Sequence, residues 1–192
     1  MNDSTRGKII VIVAPSGTGK STLLDRLRQD ITNLHWSVSC TTRPMRNGEV
    51  HGEDYFFLAK HDFEERIKND EFIEWARVHS NYYGTNKQFV EQGLNSGKNL
   101  LFDLDVQGCD SMKAVYGDEA RIIFIEPPSV EELESRLLKR ATDSTEVIQE
   151  RVKNARQELT RKDDFDFNVV NDNFDDAYKH LNSIVSDIIQ GS

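Results

Sequence analysis

The sequence predicts a three-layer α/β fold around a mainly parallel sheet, in a single domain that spans residues 7–189. Two observations lead to this prediction. Apolar, β-branched runs alternate along the chain with segments whose apolar residues recur at helical spacing. The later runs also lack the alternation of apolar and polar residues that is typical of a sheet with one solvent-exposed face. This is expected of strands covered on both sides. Strands and helices that alternate through right-handed crossovers build this architecture.

Four segments are expected to be strands of this sheet: 8–13, 99–104, 121–125 and 168–170. A helix over 21–31 follows the first strand, and a helix over 129–139 opens with a capping box of Ser129 and Glu132. The last helix carries one apolar stripe, formed by Ala177, Leu181, Ile184, Val185 and Ile188. The sheet, its helices and their order together give the core segments 7–33, 89–128 and 160–189.

Residues 34–88 interrupt this rhythm, because they are rich in Tyr, Phe, Thr and Arg and carry only short strand-like runs. We interpret them as an inserted subdomain. Residues 129–159 are expected to form a helix-loop-helix. The second helix carries an apolar stripe, which indicates that it packs as a second arm; the stripe is formed by Ile148, Val152, Ala155 and Leu159.

Composition limits the ligand classes. The 192 residues are 37% hydrophobic, enough for one sizeable core, and the formal net charge of -9 opposes general binding to nucleic acid or an anionic membrane. Cys40 and Cys109 show no metal-ligand spacing, no apolar stretch is long enough to cross a bilayer, and residues 1–8 lack a secretory h-region. We expect a cytoplasmic protein that meets anionic ligands with local basic clusters; the oligomeric state is left open.

A phosphate-binding motif follows the first strand. It matches Walker A at every fixed position but the first, where Ala14 replaces Gly. A loop between a buried strand and a helix points backbone N–H groups at one spot, where the helix dipole also favours negative charge. The predicted ATP site comprises Ala14, Pro15, Ser16, Gly17, Thr18, Gly19, Lys20, Ser21 and Thr22. Lys20 would reach the β- and γ-phosphates, and Ser21 would offer its hydroxyl to Mg²⁺. A chance glycine-rich turn is the alternative, and the strand, loop and helix context opposes it.

Six further blocks decide the family: residues 37–46 (SVSCTTRPMR), 48–55 (GEVHGEDY), 71–75 (EFIEW), 81–85 (NYYGT), 102–108 (FDLDVQG) and 125–129 (IEPPS). Together they resemble guanylate kinases over nearly the whole chain, and Ala14 resembles the loop of bacterial members. The resemblance implies transfer of the γ-phosphate of ATP to GMP, with Mg²⁺, in purine nucleotide metabolism. It also implies that residues 34–88 bind GMP and that residues 129–159 are a mobile lid.

The acceptor phosphate needs cations and hydroxyl donors, which Arg43, Arg46, Tyr55 and Tyr83 provide. By resemblance these positions hold the GMP phosphate; two neighbouring arginines are otherwise most often a solvated surface pair. The full predicted GMP site is Ser39, Arg43, Arg46, Glu49, Tyr55, Glu74, Tyr83, Thr85, Asp103 and Asp105.

Guanine presents two adjacent donors, N1–H and the 2-amino group, which one carboxylate can accept. Glu74 resembles the glutamate that reads guanine in the family, with Ser39 and Thr85 beside the base. Asp103 and Asp105 end a buried strand at the edge where ligands of open α/β sheets collect. By resemblance Asp105 helps to bind the base and Asp103 holds a magnesium-bound water, while a helix-capping role for the pair remains the alternative.

The lid carries Arg136, Arg140 and Arg151. Arginines that arrive on closure stabilise charge on the transferring phosphate and exclude water. The predicted catalytic residues are Lys20, Arg43, Arg140 and Arg151, and Arg136 and Arg140 also belong to the predicted ATP site. A solvated helix face is the alternative for each arginine of the lid.

Two other functions are weighed. A non-catalytic guanylate-kinase-like binding module would lack a working P-loop, so Lys20 and Ser21 oppose it. A P-loop kinase of another phosphorylated small molecule would keep Lys20 but change the residues that read the base, so Glu74 and Ser39 oppose that.

Overall fold

Two β-sheets organise the computed structural model, which describes residues 6–78, 80–139 and 145–191. The strands are β1 (Ile9–Val13), β2 (Leu34–Trp36), β3 (Cys40–Thr41), β4 (Phe56–Phe57), β5 (Phe72–Val78), β6 (Asn81–Asn86), β7 (Asn99–Asp103), β8 (Ala120–Glu126) and β9 (Phe167–Val170). The helices are α1 (Lys20–Asp30), α2 (Lys60–Lys68), α3 (Lys87–Asn95), α4 (Val106–Tyr116), α5 (Val130–Lys139), α6 (Thr145–Leu159) and α7 (Phe174–Gln190). No helix in these ranges is both long enough and apolar enough to span a membrane.

The larger sheet has five strands in the order β2, β7, β1, β8, β9, and every pair in it is parallel. Strand β1 lies at the centre, with Ile9 opposite both Leu100 and Ala120, and all its residues are buried. The continuous apolar runs arise because helices cover both faces of the sheet. The predicted α/β fold with a mainly parallel sheet is confirmed.

The two faces of the large sheet bury different apolar clusters. Ile10 and Ile12 of β1 pack with side chains of α1 and α7, including Leu24 and Val185. Ile9, Val11 and Val13 point the opposite way and pack with side chains of α3 and α4, including Leu94 and Met112. Strand side chains alternate between faces, so one apolar strand supplies both cores and creates the three layers.

The smaller sheet has the order β4, β3, β6, β5 and lies within the predicted insertion. Strands β5 and β6 pair in antiparallel fashion with Glu74 opposite Thr85, and β3 pairs in parallel with β4. Cys40, Phe63 and Phe72 form its buried centre. One boundary needs correction: Leu34–Trp36, placed in the insertion by the sequence analysis, is strand β2 and pairs with β7 of the large sheet. Three residues are too few to show a periodicity.

Helices α5 and α6 pack on each other through Leu133, Leu137, Ile148, Val152 and Ala155. Ser129 Oγ accepts a 3.1 Å hydrogen bond from the N–H of Glu132, which is the cap expected at the start of α5. Leu159, expected on the same stripe, instead packs against the core formed by α3, α4 and the sheet. The C-terminal end of α6 is therefore attached to the main body of the protein.

Candidate active site

Polar residues collect at the carboxyl edge of the large sheet. The Walker A loop follows β1, Asp103 ends β7, Glu126 ends β8, and Asn171 follows β9. In an all-parallel sheet these ends lie on one side of the molecule, which is where open α/β folds bind ligands. This edge, together with the small sheet, is the candidate active site.

The Walker A loop curls through two glycines in the left-handed region, Gly17 at φ 95° and Gly19 at φ 86°. Residues other than glycine rarely adopt these backbone angles. Thr18 donates its hydroxyl to the carbonyl of Pro15 at 3.0 Å, which holds the curl, and Gly19 is the N-cap of α1. The loop therefore ends at a helix N-terminus, where free N–H groups and the helix dipole favour an anion.

Lys20 pairs with the carboxylate of Asp103 across the edge of the sheet. The lysine side chain is 20% exposed and the aspartate side chain 40%, so the pair is accessible from the cleft. Asp105, two residues further on, is the N-cap of α4, and its Oδ1 accepts the N–H of Gly108 at 2.8 Å. The two aspartates thus differ: Asp105 caps a helix, as the alternative interpretation held, and Asp103 contacts the P-loop lysine.

Glu158, on α6, is a residue that the sequence analysis did not select. It is half-buried, and burial raises the pKa of its carboxyl, an effect that nearby Lys20 partly opposes. Together with Asp105, Asn154 and Gln157 it lines a cavity of about 370 Å³ between α4 and α6. The charge of Lys20 acts on the Glu158 carboxyl, so α6 interacts electrostatically with the Walker A loop.

The predicted phosphate-binding residues gather on the small sheet and the loop after β3. Arg43 binds Glu49 at two points, Nη2 to Oε1 at 2.6 Å and Nη1 to Oε2 at 3.0 Å. The backbone N–H of Arg46 donates to the same carboxylate at 2.6 Å. These contacts lower the pKa of Glu49, the hydrogen bond from Arg43 most of all, and the same pairing raises the pKa of Arg43.

Aromatic rings complete this cluster. The guanidinium of Arg43 lies 5.5 Å from the centre of the Tyr55 ring, and the rings of Tyr55 and Tyr83 meet edge to face at 6.1 Å. Arg43, Glu49, Tyr55 and Tyr83 therefore form one contact group, with Arg46 attached through its backbone.

The predicted base-reading residues Glu74 and Thr85 lie opposite each other on β5 and β6. Thr85 donates its hydroxyl to Glu74 Oε1 at 2.6 Å. Burial raises the pKa of Glu74, the Thr85 hydroxyl opposes this, and nearby Asp105 adds to it. Glu74 and Asp105 also line a common cavity of about 350 Å³ between β5 and α4, whereas Ser39 lines a different one with Tyr55.

A family model for guanylate kinases matches residues 6–188 of the chain. The chain belongs to the guanylate kinase family. It is 46% identical to the guanylate kinase of Porphyromonas gingivalis, over 95% of this chain and 98% of that one. It is 43% identical to the guanylate kinase of Thermotoga maritima, over 94% of this chain and 86% of that one.

The fold agrees with that assignment. The crystal structure of guanylate kinase from Anaplasma phagocytophilum aligns with a TM-score of 0.68 and 30% sequence identity, over 96% of this chain and 87% of that chain. The family predicted from the sequence blocks is confirmed.

In this guanylate kinase family member the arginines of α5 and α6 take different positions. Arg136 donates Nε to Glu132 Oε1 and Nη1 to the carbonyl of Asn171, both at 3.0 Å. Arg151 is half-buried on α6, next to Val152 of the α5–α6 cluster. Arg140 lies outside the described residues. The contacts of Arg136 attach α5 to the end of β9.

Asn171 is the second residue that the sequence analysis did not select. It is 7% exposed and contacts the P-loop through its side chain. One signal was available: like Asp103, it is a polar residue at the carboxyl end of an apolar run, where a parallel sheet places its ligand site.

Proposed function

We propose that this protein is an ATP:GMP phosphotransferase that converts ATP and GMP into ADP and GDP. The observation that carries the proposal is the half-buried carboxylate of Glu74, held by Thr85 and lining a cavity with Asp105. A carboxylate with one oxygen fixed by a hydroxyl can still accept from the adjacent N1–H and 2-amino groups of guanine. Adenine lacks that pair of donors, so this arrangement favours GMP over AMP.

The donor site is the Walker A loop, residues 14–22. Its curled backbone and the start of α1 receive the triphosphate of ATP, and Lys20 exchanges its contact with Asp103 for one with the β- and γ-phosphates. Because Asp103 is already next to that amine, the lysine is held at the mouth of the loop before ATP arrives.

The acceptor site is the group around Arg43. Arg43, Arg46, Tyr55 and Tyr83 hold the GMP phosphate, and Glu49 orients the arginine from behind. Ser39, Glu74, Thr85 and Asp105 contact the base. A non-bridging oxygen of that phosphate then attacks the γ-phosphorus in line; its P–O bond forms while the bond to the β-γ bridging oxygen breaks, and ADP leaves with that electron pair. No covalent enzyme intermediate is needed.

The donor set near the loop suits Mg²⁺. The Ser21 hydroxyl and the Asp103 carboxylate are hard oxygen ligands, and Asp103 lies beside Lys20. Mg²⁺ usually keeps several waters and binds through one or two carboxylates together with substrate phosphates. Bound there, Mg²⁺ would neutralise charge on the β- and γ-phosphates.

The remaining assignments belong to the same proposal. Residues 34–88, apart from strand β2, bind GMP, and residues 129–159 close over the reacting phosphates with Arg136, Arg140 and Arg151. Residues 7–33, 89–128 and 160–189 form the core. The protein acts in purine nucleotide metabolism in the cytoplasm.

A coupled assay of ADP formation with GMP, AMP, CMP and UMP as acceptors tests the proposal. We expect turnover with GMP and a large loss of kcat/KM with the other three. Equal use of GMP and AMP would contradict the role of Glu74. Binding of GMP without turnover in the presence of ATP would instead favour a binding module.

A further inference from the structure

Asn171 makes hydrogen bonds to three parts of the structure around the proposed ATP site: the Walker A loop, the end of β8 and helix α5. Its side-chain Nδ2 donates to the carbonyl of Thr18 at 2.6 Å, within the Walker A loop. Its backbone N–H donates to the carbonyl of Glu126 at 2.8 Å, and its own carbonyl accepts from Arg136 Nη1 at 3.0 Å. The backbone of Asn171 is therefore held by Glu126 at the end of β8 and by Arg136 of α5. Its side-chain amide extends from this fixed backbone to the loop.

The contact with the loop is close because residue 19 is a glycine. A Cβ added to Gly19 would lie 2.7 Å from Asn171 Nδ2, a separation that real Cβ atoms essentially never show. The amide thus lies directly against the backbone of the loop. A second contact holds the other side of the curl, where a Cβ on Gly17 would lie 2.9 Å from Leu137 of α5.

The peptide unit between Thr18 and Gly19 transmits this contact. A trans peptide is planar, and its C=O and N–H point in opposite directions. A donor that fixes the Thr18 carbonyl on one side therefore fixes the direction of the Gly19 N–H on the other. Gly19 is the N-cap of α1, at the position where a phosphate is received.

We propose that Asn171 is a positioning residue of the donor site, whose amide fixes the Thr18–Gly19 peptide so that the Gly19 N–H faces the bound phosphate. The proposal rests on the proposed function, which identifies the phosphoryl donor as ATP. It adds that Asn171 affects how the phosphates are bound, irrespective of the base of the nucleotide. Direct reading of the base by Asn171 is the competing possibility, and the experiment separates the two.

Asn171→Leu removes the donor with the same branching and unchanged charge but with larger methyl groups, and Asn171→Ala is a second variant that removes the donor with no risk of overpacking. Asn168→Ala is the matched control, since Asn168 lies on β9 and its buried Oδ1 has no hydrogen-bond partner within the described chain. Affinity for inorganic triphosphate is measured by calorimetry, and kcat/KM is measured with ATP and with inosine triphosphate as donors. The dissociation constant of GMP and the unfolding temperature are measured alongside.

We expect both Asn171 variants to bind inorganic triphosphate about 10- to 100-fold more weakly, as for a buried carbonyl that loses its donor. The loss of kcat/KM should be the same factor with ATP and with inosine triphosphate, and GMP affinity should be unchanged. The unfolding temperature should fall by a few degrees in both variants, because the Thr18 carbonyl loses its donor in the folded protein. Asn168→Ala should match the parent protein throughout.

Several outcomes would overturn the proposal. Unchanged triphosphate affinity is one. A loss seen with ATP but not with inosine triphosphate would assign Asn171 to the base, and a parallel loss of GMP affinity and unfolding temperature, or failure of both variants to fold, would assign it to the fold alone. If the parent protein binds triphosphate through Asn171 but does not phosphorylate GMP, the proposed function fails while this inference stands.

Discussion

The carboxylate of Glu49 accepts two hydrogen bonds from the guanidinium of Arg43 and a third from the backbone N–H of Arg46. Charge-assisted, two-point contacts of this kind fix the plane of a guanidinium. The side chains are only 12% and 19% exposed, so the pair is also shielded from competing water. A further hydrogen bond, from Nη1 to the carbonyl of Pro44 at 2.9 Å, adds to this hold, so Arg43 is oriented before any phosphate arrives.

Glu49→Gln tests whether this orientation matters. The amide accepts at only one atom, so one of the two contacts that fix the guanidinium is lost, and we expect the KM for GMP to rise about 10-fold. The kcat should change less, because Arg43 remains present. Steady-state kinetics with saturating ATP measure both constants.

Asp54→Asn is the control for Glu49→Gln. Asp54 Oδ2 accepts the N–H of Val50 at 2.7 Å in the same loop, and asparagine keeps an acceptor there. A fall in the KM for GMP in Glu49→Gln would show that Glu49 competes with the substrate phosphate, and the orienting role would be wrong.

Lys20→Ala tests the donor loop. The substitution removes a positive charge from the transferring phosphate, and we expect kcat to fall by at least about 100-fold with the fold intact. Lys179→Ala is the control, because the Lys179 side chain is 76% exposed and pairs with Asp176 on the surface of α7. Near-normal turnover in Lys20→Ala, measured by ADP formation, would contradict the P-loop assignment.

Most of the large sheet could be predicted from the sequence because its three central strands are buried on both faces. Strands β1, β7 and β8 appear as apolar runs for that reason, and the edge strand β9 appears as a shorter run. The expected bounds of all four strands differ from the observed ones by no more than one residue at either end. Strand β2 could not, since it has three residues and two of them, His35 and Trp36, are only half-buried. Its place is set by pairing with β7, a contact between distant parts of the chain.

The site followed a similar division. Motif spacing identified the Walker A loop, and the resemblance supplied Arg43 and Glu74. Neither source predicts that Thr85 holds Glu74, because that contact depends on the β5–β6 register, which shifts between Phe72 and Glu74. The contact from Asn171 to Thr18 likewise requires β9 to lie next to β8 in the folded sheet.

Glu74→Gln tests how the base is read. One acceptor becomes a donor, so a guanine N–H would face an N–H, and each buried unpaired polar group costs about 1–3 kcal/mol. We expect kcat/KM with GMP to fall about 10- to 100-fold, while kcat/KM with AMP and the KM for ATP stay the same. An unchanged preference for GMP over AMP would show that Glu74 does not read the base.

The same substitution should stabilise the protein at neutral pH. Burial raises the pKa of Glu74 in the folded protein, so the unfolded chain ionises at a lower pH, near the ordinary value of about 4.3. The stability that the protonated form provides is complete below that value and is lost as the pH rises through the folded pKa. Glutamine carries no charge and does not incur this loss.

Urea unfolding at pH 4 and pH 7 measures the effect. We expect Glu74→Gln to exceed the parent protein in free energy of unfolding at pH 7 and the difference to shrink toward pH 4. A difference that grows as the pH falls would show that the carboxylate is stabilised in the folded state.

Closure of the lid is tested by limited proteolysis. Because residues 129–159 are proposed to close only over both nucleotides, we expect ATP with GMP to protect this segment more than either nucleotide alone. To prevent turnover, the experiment uses a non-hydrolysable ATP analogue, and Lys20→Ala serves as a variant in which the added protection should disappear. Equal cleavage under all conditions would contradict a lid.

The central position of β1 constrains how the chain folds during synthesis. Ile9 pairs with Leu100 and Ala120, so β1 leaves the ribosome before partners that emerge only after the whole small sheet has been made. The contacts of the small sheet are local by comparison, and local contacts form first. Once the chain has emerged to about residue 95, we expect a formed β5–β6 hairpin beside an unpaired, wholly apolar β1, a state prone to aggregation until β7 and β8 emerge.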